Sequence, residues 1–174
     1  GSKLALLLNL PIFLDSIGTM LAGIALGPVA GGLTALVGGL INGVLGDIYA
    51  IYFSLSGVLM GVLAGLLMHN KKNTYVSAIW KTLIITLPAS ALSACIETFL
   101  FGGITSAVVT TFIIQALSQT ALKLFGSAFL TQAVTDYVDK LIAILLVVAS
   151  IKHLPYELTH FENEKKGSLL KETA

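Results

Sequence analysis

Apolar residues run through most of the chain, broken at short intervals by glycine, proline or a few charged side chains. The apolar runs cover 4–14, 17–26, 29–45, 48–68, 76–101, 104–130 and 134–151. A helix of about 20 apolar residues spans the hydrocarbon core of a bilayer, so the pattern predicts an all-α, polytopic membrane protein, a six-helix transmembrane bundle. The run 104–130 is the exception. It carries Thr105, Thr110, Thr111, Gln115, Gln119 and Lys123, too polar for a helix facing lipid, and reads as a helical excursion lying on one membrane face. Residues 3–14 make about 18 Å of helix, too little for a full span. They read as a truncated first helix, because no small-residue cleavage site follows as a signal peptide requires.

The sharpest break is Leu26-Gly27-Pro28. Proline cannot donate a backbone hydrogen bond but suits the first turn of a helix, so one helix should end here and the next begin. Beyond the break Gly31, Ala35, Gly39 and Gly43 recur every four residues, and Gly57, Gly61 and Gly65 do the same on the following run. Spacing of four places them on one helical face, a smooth stripe that a second helix can approach closely. Such stripes serve either packing within the bundle or docking of a partner membrane protein. Gly31, Ala35, Gly39, Gly57, Gly61 and Gly65, with Ala5 on the first helix, are the candidate docking positions.

Composition narrows the class. With 56% hydrophobic and 11% charged residues, the chain departs from soluble proteins, about a quarter of whose residues are charged. Arginine is absent and no basic run is interleaved with aromatics, which argues against nucleic acid. Cys95 has no partner for a disulfide and reads as a small packing residue. His69, His153 and His160 stand apart, and no phosphate loop or nucleophile elbow is present, so no enzymatic chemistry and no cofactor or metal is expected. Residues 1–152 read as one transmembrane binding domain and 153–174 as a short polar cytoplasmic tail. Lysines cluster at Lys71 and Lys72 and again from Lys152 to Lys171. Basic loops stay inside, which puts both termini in the cytoplasm of a bacterial-type plasma membrane and Asp15, Asp47, Glu97, Asp136 and Asp139 toward the outside.

Those acids are the candidate chemistry. Gln132, Asp136 and Lys140 are spaced by four and share a helical face, with Asp139 beside Lys140. Ionisable groups inside a membrane cost several kcal/mol each and should face protein or water. They form a structural ion pair, the wall of a ligand cavity, or both. Tyr49 and Tyr52 follow Asp47, with Asn42 before it. They read either as interfacial anchors or as flat faces and hydrogen-bonding groups of a pocket. Only Lys123 and Lys140 oppose the outer acids, which favours a neutral or weakly basic, hydroxyl-bearing heterocycle over an anion. The expected binding set is Asp15, Asn42, Asp47, Tyr49, Tyr52, Glu97, Asp136, Asp139 and Lys140.

Pro11-Ile12-Phe13-Leu14-Asp15-Ser16-Ile17-Gly18-Thr19, Ala25-Leu26-Gly27-Pro28-Val29-Ala30-Gly31-Gly32, Gly102-Gly103-Ile104-Thr105 and Asp139-Lys140 together resemble the substrate-binding S component of an energy-coupling factor (ECF) vitamin transporter. The resemblance covers the chain from Pro11 to about Pro155. It implies a six-helix bundle that captures a water-soluble vitamin from outside and docks on a membrane scaffold subunit with two ATPases. The nearest branch is that for pyridoxine, hydroxymethylpyrimidine or riboflavin, with pyridoxine or hydroxymethylpyrimidine preferred. The family's docking helix is full-length with small residues at four-residue spacing, whereas 3–14 is short and offers only Ala5. The competing class is a ligand-binding membrane sensor domain, against which the shortness of the tail counts. A self-sufficient secondary transporter would show an internal repeat with broken helices, and none is visible.

Overall fold

A computed structural model describes residues 16–151, apart from residues 72 and 106. The truncated first helix, Ala5, Asp15 and the polar tail lie outside the described residues. Within them the chain is helical, with six helices in the order α1 (Ile17–Leu26), α2 (Pro28–Val44), α3 (Ile48–Met68), α4 (Tyr75–Phe101), α5 (Val108–Ser118) and α6 (Lys123–Ile151). α3 and α4 are long and apolar enough to cross a membrane.

The Gly27-Pro28 break falls where the sequence placed it. Gly27 has φ 102°, a region that L side chains rarely adopt, and its N–H closes α1 on the Gly23 carbonyl at 3.1 Å while Pro28 opens α2. At the same end of the bundle His69, just past α3, sets Nδ1 3.1 Å from the Ile24 carbonyl oxygen. That contact ties the α1–α2 hairpin to the end of α3. α4 starts on a capping box in which the Thr74 hydroxyl accepts from the Ser77 N–H and the Ser77 hydroxyl from the Thr74 N–H.

α2 and α3 form the most extensive helix pair, with α1 lying against both. Glycine makes this possible: a Cβ added at Gly61 would sit 2.5 Å from the Gly31 carbonyl oxygen, and one added at Gly23 2.7 Å from the Gly61 carbonyl oxygen. Gly39 faces Ser54, Gly57 faces Ala35 and Gly65 faces Pro28 across the same seam. The small-residue faces assigned to docking are thus taken up inside the chain, since without water-driven association helices in lipid hold together through such close contact. Gly31, Ala35, Gly61 and Gly65 are buried in this arrangement, and Gly39 and Gly57 are half-buried.

The excursion expected over 104–130 is corrected. The segment breaks at 119–122, so that α5 ends at Ser118 and residues from Lys123 onward begin α6, whose 29 residues extend well before the expected start at 134. α5 has 11 residues, about 16 Å of helix and too short to span. It packs on α6 through a small apolar cluster of Ala94, Ile114 and Ala128.

The molecule therefore has two helical groups, α1–α2–α3 and α4–α5–α6, joined by contacts of α3 with α4 and of α1 with α6. The main core, with Met20, Ile24, Met60, Ala64, Met68, Ile85, Ile144 and Val147, fills the end nearer His69. Outward faces are apolar, as at Val44 (86% exposed), Phe99 (78%) and Phe112 (73%), whereas the buried positions include many Ser, Thr, Gly and Ala. This is the distribution of a bundle whose surroundings are lipid.

The Gly31–Gly61 contact should be intolerant of volume. Gly61→Ala forces backbone apart and is expected to lower stability by about 1–3 kcal/mol. Gly126→Ala, which meets only Leu122 at ordinary contact distance, should be neutral or slightly stabilising. Thermal unfolding of the two purified variants in the same detergent measures the difference.

Candidate functional site

Opposite the His69 end, a cavity of about 320 Å³ lies between the two helical groups. Its walls come from the start of α1 (Ser16, Gly18, Thr19), the middle and second half of α2 (Thr34, Ala35, Gly38, Gly39, Asn42), the first half of α3 with Asp47 before it, Ser93 of α4, Thr105 and Thr110 around the start of α5, and the middle of α6. Met20 and Met60 line its inner end and belong to the apolar core beneath it.

α6 supplies the charged wall. Gln132, Thr135, Asp136, Asp139 and Lys140 all line the cavity, as the spacing of four and three along a helix requires. Lys140 Nζ lies 2.6 Å from Asp139 Oδ2 and 3.8 Å from Asp136 Oδ1, with the Lys140 and Asp139 side chains nearly buried. The Ser90 hydroxyl donates to Asp136 Oδ2 at 2.9 Å, and the Ser16 hydroxyl reaches Asp139 Oδ2 at 3.5 Å. One ammonium thus holds two carboxylates in fixed positions, and the structural pair and the cavity wall are the same residues.

Asn42, Asp47, Tyr49, Asp136, Asp139 and Lys140 are brought together around the cavity. Asp47 Oδ1 is buried and has no hydrogen-bond partner among the described residues. Two expected contacts are not made. Tyr52 is 46% exposed and turns its ring onto the edge of Phe101, centroids 5.3 Å apart, away from the cavity. Phe53, one helical turn beyond Tyr49, lines the cavity in its place. Glu97 is fully buried but stands behind the wall: its Oε2 accepts from Gln132 Nε2 at 3.2 Å, while Oε1 has no partner among the described residues. Glu97 therefore orients a lining amide and does not itself line the cavity.

Sequence reasoning missed the hydroxyls. Ser16, Thr19, Thr34, Ser54, Ser56, Ser93, Thr105, Thr110 and Thr135 all line the cavity. Several belong to hydrogen-bond chains, such as the Ser93 hydroxyl donating to Ser56 Oγ at 2.7 Å, which donates to the Ala89 carbonyl at 2.8 Å. A signal for this was present: Thr82, Thr86, Ser90, Ser93 and Glu97 recur at steps of four and three along α4, and all are buried. That is a polar stripe at helical period, turned inward. Chemically the arrangement offers fixed carboxylates, one ammonium already engaged by them, many hydroxyls and an aromatic wall. It can bind a small polar solute by charge and hydrogen bonding.

Removing Lys140 should expose the cost of the wall. Lys140→Met leaves two carboxylates without their ammonium, and breaking a buried pair from one side costs about 3–5 kcal/mol. The double variant Asp139→Asn with Lys140→Met should recover part of the loss. Unfolding temperatures of the single and double variants in matched lipid nanodiscs test the expectation.

Residues 14–154 match the family model described as 5TMR of 5TMR-LYT, a five-transmembrane receptor family. No curated protein and no solved structure gives a significant match.

Proposed function

Starting from the fact that this chain belongs to the five-transmembrane receptor family 5TMR of 5TMR-LYT, and is thereby a multi-pass membrane protein, we propose that it is a ligand-binding receptor domain. It captures a small polar solute in the cavity between its two helical groups. The observation that carries this reading is the cavity's charged wall. Asp136, Asp139 and Lys140 sit near the middle of a 29-residue helix and face a space large enough for a solute. Charged groups within a membrane bundle are costly to keep and ordinarily mark a ligand or ion site. The lining comes from all six helices and the segments beside them, so a bound solute would bridge α2 and α3 to α6 and change how the two groups sit together. Such a change is one that a receptor can pass on.

Lys71 beside His69, and Lys81 one helix further on, lie at the end away from the cavity. By the preference of basic loops for the inside, the cavity would open to the exterior of a cell membrane.

A second reading is favoured by the motifs Ser16-Ile17-Gly18-Thr19, Gly27-Pro28 and Asp139-Lys140. Ser16, Gly18, Thr19, Asp139 and Lys140 line the cavity, and its inner end is closed by Met20 and Met60. An S component that captures a vitamin such as pyridoxine or hydroxymethylpyrimidine for a scaffold and two ATPases would use such a chamber. Co-purification separates the two: an S component retains a membrane scaffold with two ATPases, and a receptor does not.

The shared core of both readings is solute capture. The purified chain in nanodiscs, screened by thermal shift against pooled polar metabolites, should be stabilised by one compound or a few. Asp136→Asn should weaken the hit by about 10-fold to 150-fold, as expected for loss of a buried hydrogen bond to a charged group of about 1.5–3 kcal/mol. Stabilisation that survives both Asp136→Asn and Asp139→Asn would place the ligand elsewhere.

A further inference from the structure

Asp47 precedes the first residue of α3, the position where an aspartate ordinarily accepts a hydrogen bond from the backbone of the helix's first turn. Here it makes no side-chain cap bond. Its backbone is engaged, the N–H donating to the Asn42 carbonyl at 3.1 Å and the carbonyl accepting from the Ala50 N–H at 3.0 Å. Asp47 instead lines the cavity; the residue is half-buried, and its Oδ1 is shielded and without a partner among the described residues. A buried acceptor left unmade costs about 1–3 kcal/mol, and more when charged. The sequence thus gives up a cap and leaves an acceptor unmet at the same residue.

The groups nearby on α3 complete the picture. Tyr49 and Phe53, one turn apart, line the cavity beside Asp47, and both rings rest on Phe101, with centroids 4.7 Å and 6.4 Å away. The cavity's ammonium, Lys140, is drawn to Asp139 at 2.6 Å.

Resting on the reading of this cavity as a ligand site, we infer that it selects a small organic cation with an N–H group. A primary or secondary ammonium, or a protonated heterocycle, would donate to the Asp47 carboxylate with its body against Tyr49 and Phe53. Each alternative fails on one count. An anion would face Asp47, Asp136 and Asp139, with the one ammonium of the described lining already held by Asp139. A neutral alcohol brings a hydrogen but no charge. A quaternary ammonium brings charge, and favourable contact with aromatic faces, but no hydrogen for the carboxylate.

Four compounds of similar shape separate these cases: benzylamine, benzyltrimethylammonium, benzyl alcohol and benzoate. Calorimetric titration of each into the full chain in phosphatidylcholine nanodiscs should give benzylamine as the tightest binder and no measurable benzoate binding. Asp47→Asn should weaken benzylamine by about 10-fold or more, and Asp47→Glu should restore part of it. Adding phosphatidylethanolamine to the nanodiscs distinguishes the source of the cation. Undiminished benzylamine affinity assigns the site to a free solute, and competition assigns it to a lipid headgroup amine; both keep the N–H cation. Benzoate binding as tightly as benzylamine overturns the inference while leaving the cavity a ligand site. Equal benzylamine affinity in wild type and Asp47→Asn, or binding of none of the four, overturns it as well. The metabolite screen with Asp136→Asn tests the underlying reading independently of all four compounds. Should Asp47→Asn not fold, the order of the four in the wild-type protein still decides.

Discussion

The backbone contact of Gly31 with Gly61 is the constraint from which the rest of the arrangement follows. In lipid there is no water to drive apolar helices together, so association rests on how closely their backbones approach. Gly23, Gly31 and Gly61 let α1, α2 and α3 meet without intervening side chains, and this gives one compact group of helices. The second group, α4 to α6, meets it through α3 against α4 and α1 against α6. α2 is held in its own group by the glycine seam, and its second half faces α6 across open space. The cavity is that space.

A gap within a membrane bundle is stable only if its polar walls are satisfied by one another, by water or by a solute. The α6 wall does much of this internally: Lys140 is shared by Asp139 and Asp136, and Ser90 and Ser16 donate to the two carboxylates. The α3 wall does not, since Asp47 keeps a buried acceptor unused. One side of the cavity is therefore self-contained and fixes its shape, and the other keeps an unmet acceptor.

How much of this the sequence disclosed depended on whether the signal was local. The Gly27-Pro28 break, the span of α3 and the shared face of Gln132, Asp136 and Lys140 follow from the φ restriction of proline, from apolar length and from helical period, all properties of neighbouring residues. The split of 104–130 was not legible. Its polar residues serve two elements, with Thr105 and Thr110 turned to the cavity while Gln115 Nε2 donates to the Gly102 carbonyl at 3.1 Å, and no glycine or proline marks the turn at 119–122. Whether a glycine stripe packs inside or docks outside is also not a local property. It depended on which helix lay opposite, and Gly31 and Gly61 proved to face each other. Glu97 and Tyr52 show the same limit at the site: both sit at the right level, but a turn of about 100° per residue separates a lining position such as Phe53 from Tyr52, which faces outward, and Glu97 is buried behind the wall on Gln132.

The central claim is that a polar cavity opens from one side into a bundle otherwise surrounded by lipid, and cysteine labelling tests it most directly. In a Cys95→Ala background reconstituted in oriented vesicles, a membrane-impermeant maleimide should label cysteines placed at Thr135 and Gly38, which line the cavity, from the side opposite His69 only. A cysteine at Val134, exposed on the outer face of α6, should remain unlabelled in lipid. Labelling of Thr135 and Gly38 from the His69 side, or from neither side while Val134 reacts, would contradict the account.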